Sequence, residues 1–192
     1  MARITRPPVP HFIDAEDRSL AGSALYVDLI PTTCWGSAGR TVLASQYEWQ
    51  RIRTMVYERA GNACEVCGNT REDLEQLGYA PRLHAHERYT YLSVGESRVQ
   101  RLTRLICQCL ACDEVTHIGR TSTLGPHYLD RARTQAMRVN GWTRNELDAH
   151  MTEARRLWEE RSQWEWKLDV TLLKNAGGRL LPGQRDREVI WD

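Results

Sequence analysis

Two Cys-x-x-Cys pairs constrain this chain more than any other feature. Cys64-Glu65-Val66-Cys67 and Cys109-Leu110-Ala111-Cys112 are separated by 41 residues. A two-residue spacing lets a tight turn aim both sulfurs at one ion. Two such turns complete a tetrahedral four-sulfur zinc site, which is closed and therefore structural. Gly68, directly after Cys67, suits a turn of this kind. One pair alone could equally be a redox motif, whereas two pairs point to metal. Such a site clasps segments far apart in sequence and anchors whatever lies between them at both ends. Cys34 and Cys107 fall outside the pattern and read as small buried residues.

The chain has 192 residues, enough for one domain with a core that needs no disulfides. It contains no apolar run long enough to span a membrane, and the first residues lack the apolar segment of a secretory signal. The expected compartment is the cytoplasm, where clustered cysteines serve metals rather than disulfides. The net charge of +1 advertises no polyanion partner. The kind of cation is more telling: 24 of the 26 basic residues are Arg, and only Lys167 and Lys174 are Lys. Arginine forks suit phosphate, although a genome rich in G and C would produce the same bias. Residues 98–138 carry seven Arg against Asp113, Glu114 and Asp130.

Apolar periodicity divides the chain into an irregular lead-in (1–45), a cysteine-bearing core (46–119) and a helical extension (120–192). Pro7-Pro8-Val9-Pro10 bars a helix, while Ala24–Ile30 reads as a strand stopped by Pro31. Gln46–Ala60 carries Trp49, Ile52, Met55 and Val56 at helical steps and ends at Gly61-Asn62. A strand is expected near Arg82–Tyr91, and a second apolar stretch follows at Val99–Ile106. Helices are expected over Tyr128–Val139 and from Thr143 to about Gln163. Thr143-Arg144-Asn145-Glu146 forms a capping box at the start of the second helix. Trp166–Val170 alternates like a short strand, and the tail from Gly177 to Asp192 carries little pattern.

Between and just after the cysteine pairs lie Leu83-His84-Ala85-His86-Glu87-Arg88 and Cys112-Asp113-Glu114-Val115-Thr116-His117. Asp113 and His117 are four apart and share one face of any helix that Cys112 leads into. On a strand, His84 and His86 share a face and Glu87 takes the other. Nitrogen and oxygen donors with an open position describe a catalytic metal site. Lone histidines are ordinarily structural or solvated, and His11, His127 and His150 are read so.

The order helix, CxxCG, His-Glu, CxxC-x4-His resembles the HNH endonucleases of the ββα-metal (His-Me finger) fold over about Gln46–Gly119. The segment His86-Glu87-Arg88-Tyr89-Thr90-Tyr91 is similar to a motif of a bacterial and phage subgroup. In that subgroup Tyr26–Pro31, Thr33-Cys34-Trp35 and the helical tail also look familiar. The resemblance implies an α+β fold: a ββα-metal core with a structural four-cysteine zinc site and helical N- and C-terminal extensions. It implies metal-dependent hydrolysis of DNA phosphodiester bonds, with DNA as the partner. In this frame Cys64, Cys67, Cys109 and Cys112 hold zinc, Asp113 and His117 bind Mg²⁺ or Mn²⁺, and His86 is the general base. A second register makes His86 a metal ligand and Glu87 the base.

Three positions depart from the family pattern. Asp113 stands where His is usual, Ala85 where a metal-binding Asp or His precedes the base, and Arg104 where Asn is usual. Carboxylate oxygen suits hard cations, and Arg104 can clamp a phosphate but cannot accept a hydrogen bond from the base. Arg88, Arg104 and Arg120 are the candidate nucleic-acid contacts, the ordinary alternative being a solvated surface. Trp158, Trp164 and Trp166 crowd the last long helix, where core packing competes with stacking on unpaired bases. Two other readings stand beside the nuclease. One is a zinc-stabilised nucleic-acid-binding module with a disabled site; the other is a subunit that meets a protein partner.

Overall fold

The computed structural model describes residues 9–18, 25–36 and 39–181. Its centre is an antiparallel hairpin of β1 (Leu83–Val94) and β2 (Ser97–Cys109). The two strands are joined at Gly95-Glu96, where Gly95 adopts the left-handed backbone with φ of 54°. Beyond Arg88 opposite Arg104, Tyr89 pairs with Leu102, so Thr103 is an extra residue in β2 and bulges the ladder. A short third strand, β3 (Lys167–Asp169), adds in parallel beside Val99–Arg101, leaving β1 at the edge.

Helices cover both faces of the hairpin. α1 (Gln46–Arg59) is capped by Ser45, whose hydroxyl accepts from the Glu48 N–H. It buries Ile52, Met55 and Val56, the apolar stripe of the sequence. The Tyr57 hydroxyl donates to the Leu83 carbonyl at 2.8 Å, fastening α1 to the start of β1. A short α2 (Arg71–Gln76) follows the first cysteine pair, behind a capping box formed by Thr70 and Asp73. β2 runs straight into α3 (Leu110–Thr116), and a break at His117 leads to α4 (Ile118–Thr123). Next come α5 (Pro126–Asn140) and α6 (Arg144–Arg161). Gly141, at φ of 66°, ends α5, and the Thr143–Glu146 box opens α6 as its sequence requires. α7 (Thr171–Asn175) closes the core behind β3.

The fold is thus α+β, a three-stranded sheet among helices with a cysteine cluster at one end. One apolar cluster runs from Ile13 through Leu105 and Leu147 to Ala176. No helix among the described residues is long and apolar enough to cross a membrane.

The strand expected at Ala24–Ile30 does not form. Ala24 lies outside the described residues, and Leu25–Ile30 is extended but joins no ladder. Its backbone groups find other partners. The Asn140 side chain accepts from the Leu25 N–H at 2.8 Å and donates to the Leu25 carbonyl at 2.6 Å. His150 Nε2 accepts from Val27 at 2.9 Å, and the Thr116 carbonyl accepts from Asp28 at 3.2 Å. The alternating apolar residues Leu25 and Val27 are buried, as a strand's would be, but against helices rather than in a sheet. Pro7, Pro8 and the tail beyond residue 181 lie outside the described residues.

Candidate metal centres

The strand-to-helix junction at Cys109-Leu110 places two sulfurs of one cluster. Cys109 ends β2 and Cys112 lies in the first turn of α3. Cys64 and Cys67 face them from the turn after α1, where the Gly68 N–H donates to the Cys64 carbonyl. All four Sγ atoms lie within 4.8 Å of one another, with Cys67 and Cys109 3.6 Å apart. A tetrahedral zinc with Zn–S bonds of about 2.3 Å needs sulfurs about 3.8 Å apart, so the four thiols fit that ion. Thiol hydrogen bonds, from Cys109 first and then Cys112, bring Cys64 down to about 7 and lower Cys67 as well. The Cys112 thiol is pushed up, foremost by its hydrogen bond with Cys109. A divalent cation bound here would take the place of the thiol protons.

Two side chains brace this knuckle. Glu65, inside the first pair, accepts from the Cys107 backbone N–H at 2.7 Å and from Arg104 Nη2 at 2.7 Å. Gln135 of α5 donates to Cys112 Sγ at 3.2 Å. Neither role was legible beforehand. Glu65 stood between two cysteines without a visible partner, and nothing in α5 says which of its faces meets the knuckle. Cys34 and Cys107 are buried, as expected, and burial pushes their thiols up to about 11 and about 12.

A second cluster begins at Asp113, the residue after Cys112. Asp113 and His117 project from one side of α3 toward β1, as their four-residue spacing predicts. His86 meets them. Its Nδ1 is 3.2 Å from His117 Nε2 and 3.7 Å from Asp113 Oδ1, and Asp113 Oδ1 is 3.6 Å from His117 Nε2. Donors bound to one ion at about 2.1 Å stand roughly 3.0–3.5 Å apart; the His86–His117 side lies in that range, and the two sides to Asp113 are slightly longer. Burial, then the charges of His117 and Arg88, lowers His86 well below the ordinary imidazole value. Burial lowers His117 too, against the pull of Asp113. Both shifts favour the neutral ring, the form that ligates metal. His84 Nδ1 lies 3.5 Å from the other oxygen of Asp113.

This second cluster sits in an open cleft of about 1400 Å³. Residues of both parities on β1 line the cleft: His84, Ala85, His86, Glu87 and Tyr89. Glu87 is half-buried there, and its Oε1 accepts from the Arg40 N–H at 2.9 Å. Arg120 is exposed on the same wall.

The other two candidate contacts are placed differently. Arg104 is completely buried and bound to Glu65, so it braces the four-cysteine knuckle instead of clamping a phosphate. Arg88 is only 1% exposed; its guanidinium lies 4.1 Å above the Tyr26 ring, with no hydrogen-bond partner among the described residues. Close by, burial pushes the Asp28 carboxyl up to about 6, against the pull of Arg88 and Arg161. Both arginines point into the interior because the lead-in folds over their face of the hairpin, a tertiary event no local pattern announces. Trp166 packs edge-on to Tyr91, Trp164 lies under Arg98, and Trp158 lines the cleft.

Comparison with protein-family models, with curated proteins and with solved structures finds no match for this chain.

Proposed function

We propose that this chain is a metal-dependent endonuclease of the HNH type, hydrolysing DNA phosphodiester bonds. The observation that carries the reading is the triangle of His86, Asp113 and His117 in an arginine-lined cleft, with Asp113 directly following Cys112 of the four-cysteine knuckle. The hairpin running directly into α3 supports a ββα-metal core. Its strand supplies His86, its helix Asp113 and His117, and the knuckle fixes the angle between them.

The distances favour the second of the two registers considered above. His86, Asp113 and His117 hold the divalent cation, Mg²⁺ or Mn²⁺, and Glu87 is the base. When bound, that ion would supply charge neutralisation at the leaving 3′ oxygen. Glu87 accepts a proton from a water that attacks phosphorus, and its hydrogen bond from the Arg40 backbone keeps the carboxylate oriented. Arg120 faces the non-bridging oxygens, whose charge grows as the water adds. Ala85 and Arg104, which depart from the family pattern, do not enter this chemistry. Asp113 in place of His suits a hard cation.

The test is plasmid cleavage by zinc-loaded protein with Mg²⁺, with Mn²⁺ and without either. Wild type should nick or linearise DNA only with added metal. His86→Ala should abolish cleavage, and Glu87→Gln should slow it by roughly 100-fold or more while leaving Mn²⁺ affinity nearly unchanged. Absence of cleavage by folded, zinc-loaded wild type under every metal would overturn the assignment in favour of a binding module. Cleavage that survives His86→Ala would overturn the site.

A further inference from the structure

Trp35 is the feature that the proposed chemistry leaves unused. It is 69% exposed, yet its one polar atom is satisfied, the indole Nε1 donating to the Ile30 carbonyl at 3.1 Å. Trp158 Nε1 donates to the same carbonyl oxygen, also at 3.1 Å. Two indoles from distant parts of the chain are thus anchored on one atom, and both line the cleft that holds the His86 cluster. Tied at its edge, Trp35 turns ring surface, not a polar atom, to solvent. Gly36 follows at φ of 84°, and its carbonyl accepts from the Thr41 hydroxyl at 3.2 Å.

The charge around these rings is one-sided. Arg40, Arg53, Arg71, Arg82, Arg120 and Arg155 line the cleft, and none has a carboxylate partner among the described residues. Several arginines elsewhere are paired, such as Arg59 with Glu16, Arg101 with Asp169 and Arg131 with Glu114. The cleft wall has only three carboxylates among the described residues, Asp28, Glu87 and Asp113. Arg155 stands one turn before Trp158 on α6, so a cation and an indole share that stretch of the wall.

We infer that Trp35, backed by Trp158, is a stacking platform for an unpaired base, and that the strand entering the cleft has at least one nucleotide outside the duplex. The inference rests on the nuclease reading and narrows its substrate. Fixed aromatic rings beside unpaired arginines bind single strands because each base offers a π face while the backbone follows the cations. A base inside a duplex has both faces covered by its neighbours and cannot use the ring. A flap, an overhang or a single strand can.

Binding is measured by fluorescence anisotropy on zinc-loaded His86→Ala protein, which does not cut. The probes are a labelled single strand of about 15 nucleotides, the blunt duplex of the same sequence, and that duplex with an overhang. Strand and overhang should bind more tightly than the blunt duplex and quench tryptophan fluorescence. Adding Trp35→Ala should weaken both by roughly ten-fold or more and leave the blunt duplex unchanged. Trp35→Phe should restore most of the loss. Trp35 is exposed, so an unchanged melting temperature verifies that each variant is folded. Single-strand binding indifferent to Trp35, or a blunt duplex bound as tightly as the strand, would overturn the platform and leave the nuclease standing. Failure to bind any of the three probes would overturn both.

Discussion

Asp28 shows how one enclosed side chain can set the response of the whole chain to pH. Its folded-state pKa, about 6, lies above its ordinary value of 3.8, so the folded state holds its proton more tightly than the unfolded state does. The stabilisation is complete below the unfolded value and is lost as pH rises through the folded one. Between roughly pH 5 and pH 7 wild type should lose on the order of 1 kcal/mol of stability relative to Asp28→Asn. Denaturant unfolding at several pH values measures that difference, and a flat difference would mean that Asp28 is not desolvated. Side chains of this kind were the least legible part of the sequence. The cysteines, Asp113 and His117 could be grouped by spacing alone, because a tight turn and a helical turn each bring fixed positions together. Arg88 and Arg104 could not be placed, since long cations ordinarily stay at the surface and only the folded lead-in and Glu65 explain their burial.

At the scale of elements, the lead-in is held by side chains rather than by a ladder. Asn140 makes two of its hydrogen bonds, one to each backbone group of Leu25. Asn140→Ala should cost about 1–3 kcal/mol and speed amide exchange at Leu25 and Val27 more than in β2. Equal acceleration throughout the chain would show that the segment does not open by itself. α1, α5 and α6 were legible because their apolar residues repeat with the period of the element that buries them, whereas β2 showed only as an apolar stretch. Leu25–Ile30 has a strand's alternation without a strand's partner, and alternation cannot tell a sheet edge from an extended segment lying on helices. The signal for α2 was present at Thr70 and Asp73, the same box that marks α6, but the helix is too short to show periodicity.

The whole molecule is stitched at the knuckle. On the proposed assignment, stripping zinc from the four cysteines with a strong chelator should release one ion per chain, lower the melting temperature and abolish Mn²⁺ binding at the proposed His86 site. The loss of Mn²⁺ binding follows because Cys109 and Cys112 straddle the junction that aims α3 at β1. Metal analysis with calorimetry measures all three, and an undisturbed Mn²⁺ site in zinc-free protein would show that the hairpin and α3 hold their angle unaided. The knuckle acts on the unfolded chain as well. Fastening Cys64 and Cys67 to Cys109 and Cys112 closes a loop of roughly 40 residues, a restriction of disordered conformations worth about 4 kcal/mol by the chain-entropy relation for cross-links. That loop contains most of the hairpin, so a chain that captures zinc early searches for its strand register with both ends already tethered, and the ion shortens the search as well as holding the result.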